Sequence, residues 1–139
     1  MSALQAAGLA QELVALLKKQ APSGTLGLFM NCELHETPGG MTNSHDVFAV
    51  VKRLFGSARR VEIRMDATTA TTLNALARDH MQRMGKSLLV IDLLVHVDGH
   101  HQLFVDAGPP RRLGVSGDDF FKSKHIEYAH LAPWLAEIE

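Results

Sequence analysis

Cysteine is nearly absent: Cys32 is the only one, which excludes an intramolecular disulfide. Small secreted domains usually carry several bridges, so a reducing, cytoplasmic compartment is the expectation. Charge of one sign is lacking as well. Lys+Arg number 14 against Asp+Glu 15, a formal net charge of −1, and the Arg59-Arg60 and Arg111-Arg112 pairs stand alone. No field gathers phosphates along a groove, and no nucleic-acid partner is expected. Long apolar runs are missing too. The Ala- and Leu-rich start is broken by Gln5, Gln11 and Glu12, has no basic leader, and falls short of the ~18 residues that cross a bilayer. No targeting segment and no membrane partner are therefore predicted. Nor is there a Gly-Lys-Ser/Thr phosphate loop, a Gly-x-Gly-x-x-Gly fingerprint, a His-Glu-x-x-His helix, a Cys-x-x-Cys pair or an internal repeat.

What remains is 46% hydrophobic and 21% charged over 139 residues, the profile of one compact domain, 1–139. Its parts are an N-terminal helix (1–21), a core (25–106) and a C-terminal loop, further edge strand and short helix (107–139). Leu9, Leu13, Leu16 and Leu17 form one stripe of the first helix, with Lys18 and Lys19 at its negative dipole end. Leu26 to Cys32 is nearly all apolar and reads as a central strand covered on both faces.

A polar loop from Glu33 to Met41 leads to Thr42, Asn43 and Ser44. These offer N-cap oxygens to a second helix carrying Val47, Phe48, Val50, Val51, Leu54 and Phe55. Arg59 to Met65 alternates, so a second strand with one wet face near an edge is predicted. Asp66 caps a third helix with apolar positions Leu73, Leu76, Ala77, His80, Met81 and Met84, and Gly85 stops it. His80 reads as a satisfied core histidine. Ser87 to Val97 and His100 to Asp106 form a hairpin through Asp98-Gly99. Positive φ at both turn positions would set His96 across from His101. Gly108-Pro109-Pro110-Arg111-Arg112 is a loop, Asp118-Asp119-Phe120-Phe121 a helical turn and His125 to Ala129 an edge strand. Pro133 starts a short helix with Trp134, Leu135 and Ile138.

Helices between the first three strands imply parallel pairing, hence an α/β sandwich. Its mixed sheet would have four to five strands, three of them parallel plus an antiparallel hairpin strand, packed with three to four helices. A two-layer packing competes with a three-layer one. Ligands of parallel sheets sit beyond the strands' carboxyl ends. That rule collects Asn31, Cys32 and Glu33, Asp66 with Thr68 and Thr69, and His96, Asp98, His100 and His101 on one rim. There Cys32 would be the nucleophile, His96 or His101 the base, and Asp98 or Asp66 the acid that orients it. The order cysteine, histidine, acid is similar to that of papain-like cysteine hydrolases, in order alone, because those enzymes set the cysteine at a helix start. Cys32 also reads as a small buried hydrophobe.

His96 and His101 with Asp92 have the ligand types of a catalytic zinc site, but without a supporting motif no metal or cofactor is expected. Gly39, Gly40, Thr42 and Ser44 at a helix start would cradle an anion. Two functions follow. The first is a regulatory or protein-interaction module for a partner protein or a second copy, offering its half-wet second strand, the 108–112 loop and the Trp134 helix. The alternative is a thiol-dependent hydrolase or transferase, deamidase- or protease-like, built on Cys32.

Overall fold

The computed structural model describes residues 3–107, 120, 123–124 and 127–137. The element order is α1 (Ala3–Gln20), β1 (Thr25–Thr37), β2 (Gly40–Val51), β3 (Arg59–Glu62), α2 (Ala67–Met84), β4 (Leu88–His96), β5 (His101–Asp106) and a terminal 3-10 helix, η1 (Pro133–Glu137). The strands form one sheet in the order β3-β2-β1-β4-β5, and every neighbouring pair is antiparallel.

This corrects the expected sheet of three parallel strands with three to four helices, and the cause is local. The segment 42–55, read as a helix, is mostly strand. β1 does not stop at Cys32 but runs on to Thr37, where Pro38-Gly39 forms a two-residue loop and Gly40 pairs back with Thr37. A loop that short joins antiparallel strands only, since a parallel crossover needs a dozen residues or more. Val47 to Val51 misled because β2 is covered on both faces. A continuous apolar run of that length has no period by which strand and buried helix differ. Its β-branched and aromatic residues suit the pleat.

Alternation sorts the side chains into two cores. On one face Leu28, Met30, Cys32 and Leu34 of β1 join Val47, Ala49, Val51, Leu89, Ile91, Leu93 and Val95 beneath α1 and α2, which contribute Leu13, Leu17, Leu73 and Leu76. On the other, Phe29, Phe48, Val50 and Leu94 meet Phe120, Tyr128, Ala132, Trp134 and Leu135 of the C-terminal segment. The helices thus lie in one layer, and this segment closes the opposite face. Phe120, Ser123, Lys124, Glu127 and Tyr128 are helical, so Glu127 and Tyr128 overturn the edge strand expected at 125–129. The 108–112 loop, Asp118, Asp119, Phe121, His125, Ile126 and Ile138 lie outside the described residues.

Other expectations hold. β1 is central and buried from Gly27 to Leu34, and β3 is a terminal strand. Asp66 caps α2 by accepting from the Thr69 N–H, and Gly85 ends it at φ 63° in the left-handed region. Pro133 opens η1. No helix among the described residues is long and apolar enough to cross a membrane.

Candidate functional site

The hairpin tip differs from its expected form by one residue, and that residue decides which side chains meet. The His96 N–H donates to the His100 carbonyl at 2.9 Å, and the Gly99 N–H to the His96 carbonyl at 2.9 Å. Of the turn residues only Gly99 has positive φ, at 96°. This is a turn closed by a glycine bulge, not a two-residue loop with two left-handed residues. His101 therefore pairs with Val95, whose side chain lies in the helix-side core. His96, the next residue on β4, points to the opposite face by strand alternation, so the one-residue slip leaves His101 on the other side of the sheet from it. His96 stacks instead on His100, with ring centroids 4.0 Å apart and 10° between planes.

His96 is held at both ring nitrogens. The Trp134 indole Nε1–H donates to Nδ1 at 3.2 Å, and Nε2 lies 2.7 Å from Gln102 Oε1. Because an indole nitrogen can only donate, Nδ1 must be the bare acceptor and Nε2 must carry the proton toward Gln102. The imidazole is thereby fixed as one neutral tautomer. Asp98 is exposed and bonded to His100 through that residue's backbone N–H at 3.0 Å and through its ring. The backbone bond first, then the ring bond, hold the Asp98 carboxyl below its ordinary value.

The remaining residues of the expected catalytic rim are dispersed. Cys32 lies mid-strand and fully buried, its thiol donating to Asn43 Oδ1 at 3.4 Å. Its register partner on β4 is Ile91. His96 lies five residues further along, about 17 Å at the strand rise, and on the other face. His101 shares the helix face but sits four residues along β5 from Val105, the partner of Ile91, about 14 Å away along the strand. Asp66 serves α2, accepting from the Thr69 N–H at 2.8 Å and the Thr69 hydroxyl at 2.6 Å. Those two bonds, the hydroxyl's first, keep its carboxyl below the usual value. The structure therefore does not bring Cys32 together with His96 or His101 and Asp66 or Asp98; the imidazole across from Cys32 is that of His45 on β2. The common polarity that would have gathered them is absent from an antiparallel sheet.

The anion cradle loses its helix start as well. Gly39 and Gly40 belong to the β1–β2 hairpin, and Thr42 and Ser44 are on β2, where the Thr42 hydroxyl donates to the His35 carbonyl at 3.1 Å. Of these four only Gly40 borders the nearby ≈380 Å³ cleft, with Glu36, Thr37, Arg78 and Gln82.

Asp92, the third member of the metal reading, is committed elsewhere. Its carboxylate accepts from Asn31 at 2.8 Å, Lys124 at 2.6 Å and Tyr128 at 2.6 Å, and Lys124 also donates to Glu127 at 3.1 Å. Asp92 and Lys124 are each 2% exposed. Among the described residues no group of three or more His, Cys, Asp or Glu is arranged to hold a metal ion. His80 is not the satisfied histidine expected: its Nε2 is buried without a partner. Burial first, then the neighbouring Arg83, push its pKa down against the pull of Asp79.

Sequence reasoning missed two features. One is the fastening of the C-terminal segment to the sheet by Lys124, Tyr128 and Trp134, for which the only signal was that the single Tyr and single Trp fall there. The other is the bend between β2 and β3. Leu54 and Phe55, assigned to a helix's apolar stripe, are 90% and 85% exposed, and Lys52, Arg53 and Arg59 around them are exposed too. Its legible signal was the Gly56-Ser57 that follows, a turn composition. Comparison with known proteins returns no match: no family model fits the chain, and no curated protein is similar to it.

Proposed function

We propose that this chain is a cytoplasmic regulatory or protein-interaction module that docks a partner protein through the Leu54–Phe55 bend and the adjoining terminal strand β3. The observation that carries the reading is the exposure of those two side chains, 90% and 85%. Single exposed apolar residues are ordinary, whereas two large neighbours standing in water beside an edge strand form a surface that association would cover. Charge supports a partner class. The bend and β3 carry Lys52, Arg53, Arg59 and Arg60 against the single carboxylate of Glu62. Two copies meeting through this surface would set cations against cations, so an acidic partner with an apolar recess fits better than a second copy. A cysteine-dependent hydrolase built on Cys32 with His96 or His101 draws no support from the arrangement, because Cys32 is buried and far from both.

The test compares immobilised wild-type protein with the Leu54→Asp/Phe55→Asp double variant as bait in cell extract. The expected result is an unchanged Tm together with loss of a partner that wild type retains at low salt and releases at high salt. An identical retained set for both baits would end this reading. So would a lower Tm in the variant, which would make the two side chains part of the core.

A further inference from the structure

Trp134 is the only tryptophan and, with Leu135, one of two side chains that η1 buries in the core on this face of the sheet. Its indole ring lies over Gly27, so close that a Cβ there would sit 2.2 Å from Cε2. It meets the His96 ring edge-on, at 5.9 Å and 81°. Its N–H is satisfied by His96 Nδ1, and only the unprotonated nitrogen can accept that bond. We infer that His96 is a proton-operated latch: uptake of a proton at Nδ1 sets N–H against N–H, and Trp134 with η1 lifts from the sheet while Lys124 and Tyr128 stay docked. The step is a single proton transfer from solvent to Nδ1. It converts the neutral ring to imidazolium, leaves the Nε2–H bond to Gln102 intact and breaks the bond from Trp134.

Few charged groups face His96. The hairpin supplies the exposed Asp98 and the stacked His100. Lys18 of α1 borders the same ≈260 Å³ cleft as His96, and His101 of β5 lies on the other face. Deeper on the His96 face, Asp92 is already matched by Lys124, which Glu127 also contacts. β1 places the uncharged Gly27 opposite His96. Retention of Lys124 and Tyr128 follows from their bonds to Asp92, which do not involve His96. The released surface is the backbone of β1 at Gly27, which the indole covers.

The experiment follows Trp134 emission of the full chain from about pH 8 to about pH 5, the range in which histidine ordinarily titrates. Far-UV circular dichroism is recorded in parallel. The expected result is a red shift and several-fold easier quenching by acrylamide on acidification, with the circular dichroism unchanged. In His96→Gln, whose amide oxygen accepts the indole bond and does not titrate, emission stays blue throughout. His100→Gln and His80→Leu keep the wild-type transition. Flat wild-type emission overturns the inference, as does a transition surviving in His96→Gln or one that coincides with loss of secondary structure. Should His96→Gln not fold, proton NMR of the wild-type protein decides. The Trp134 indole proton and the His96 ring must then shift with a common midpoint, and separate midpoints overturn the latch.

Discussion

An added methyl at Gly27 would meet Cε2, Cδ2 and Cζ2 of Trp134 at 2.2, 2.4 and 2.6 Å, all atoms of a rigid ring with no free end to swing aside. Gly27 is therefore retained for the close approach of an indole to the strand, not for its backbone freedom. Gly27→Ala should cost about 1–3 kcal/mol, the usual penalty for overpacking. Combined with Trp134→Ala, which removes the clashing ring, its additional cost should largely vanish, a coupling that a double-mutant cycle in urea would measure. Equal cost of Gly27→Ala in both backgrounds would contradict that account. The same scale explains why Cys32 was open to two readings. A lone thiol in an apolar run has the same sequence signature whether it packs or reacts, and only the register with Ile91 and the thiol's bond to Asn43 distinguish the two.

α2 was legible from end to end, because its signals act within a few residues. Asp66 bonds the amide three positions on, the apolar stripe repeats at helical spacing, and Gly85 takes the left-handed turn that other residues resist. Asp66 also makes the helix sensitive to acid. Its carboxyl is held below the usual value in the fold. The stability it lends is therefore present above the unfolded-state value and lost as pH falls through the folded one. Asp66→Asn keeps a capping oxygen but cannot ionise. Urea midpoints should show a deficit for the variant at pH 7 that narrows at about pH 3, and a deficit independent of pH would remove the carboxylate from the explanation. β2 was illegible at the same scale. Val47 to Val51 face two different cores, so the period that would have announced a strand was erased, and Leu54 and Phe55 were drawn into a helix that does not form.

Across the whole molecule, the closing of the second face rests on a buried charge. Asp92 and Lys124 are 32 residues apart in sequence and 2.6 Å apart in the fold. Asp92→Ala leaves the Lys124 ammonium without its carboxylate and should cost about 3–5 kcal/mol, whereas Asp92→Leu with Lys124→Met should cost far less. Chemical denaturation of the two variants checks the order, and a double variant as unstable as Asp92→Ala would show that the pair does more than neutralise itself. By itself the sequence determined α1, α2, the centrality of the first strand, the edge position of β3 and the existence of the β4–β5 hairpin. Each of these follows from bonds or periodicities spanning a few residues. Strand direction, the faces of His96 and His101, the separation of Cys32 from both and the exposure of Leu54 and Phe55 were decided only in the tertiary structure. They depend on which segments pair across the sheet, and there a two-residue loop or a one-residue bulge reverses every side chain that follows.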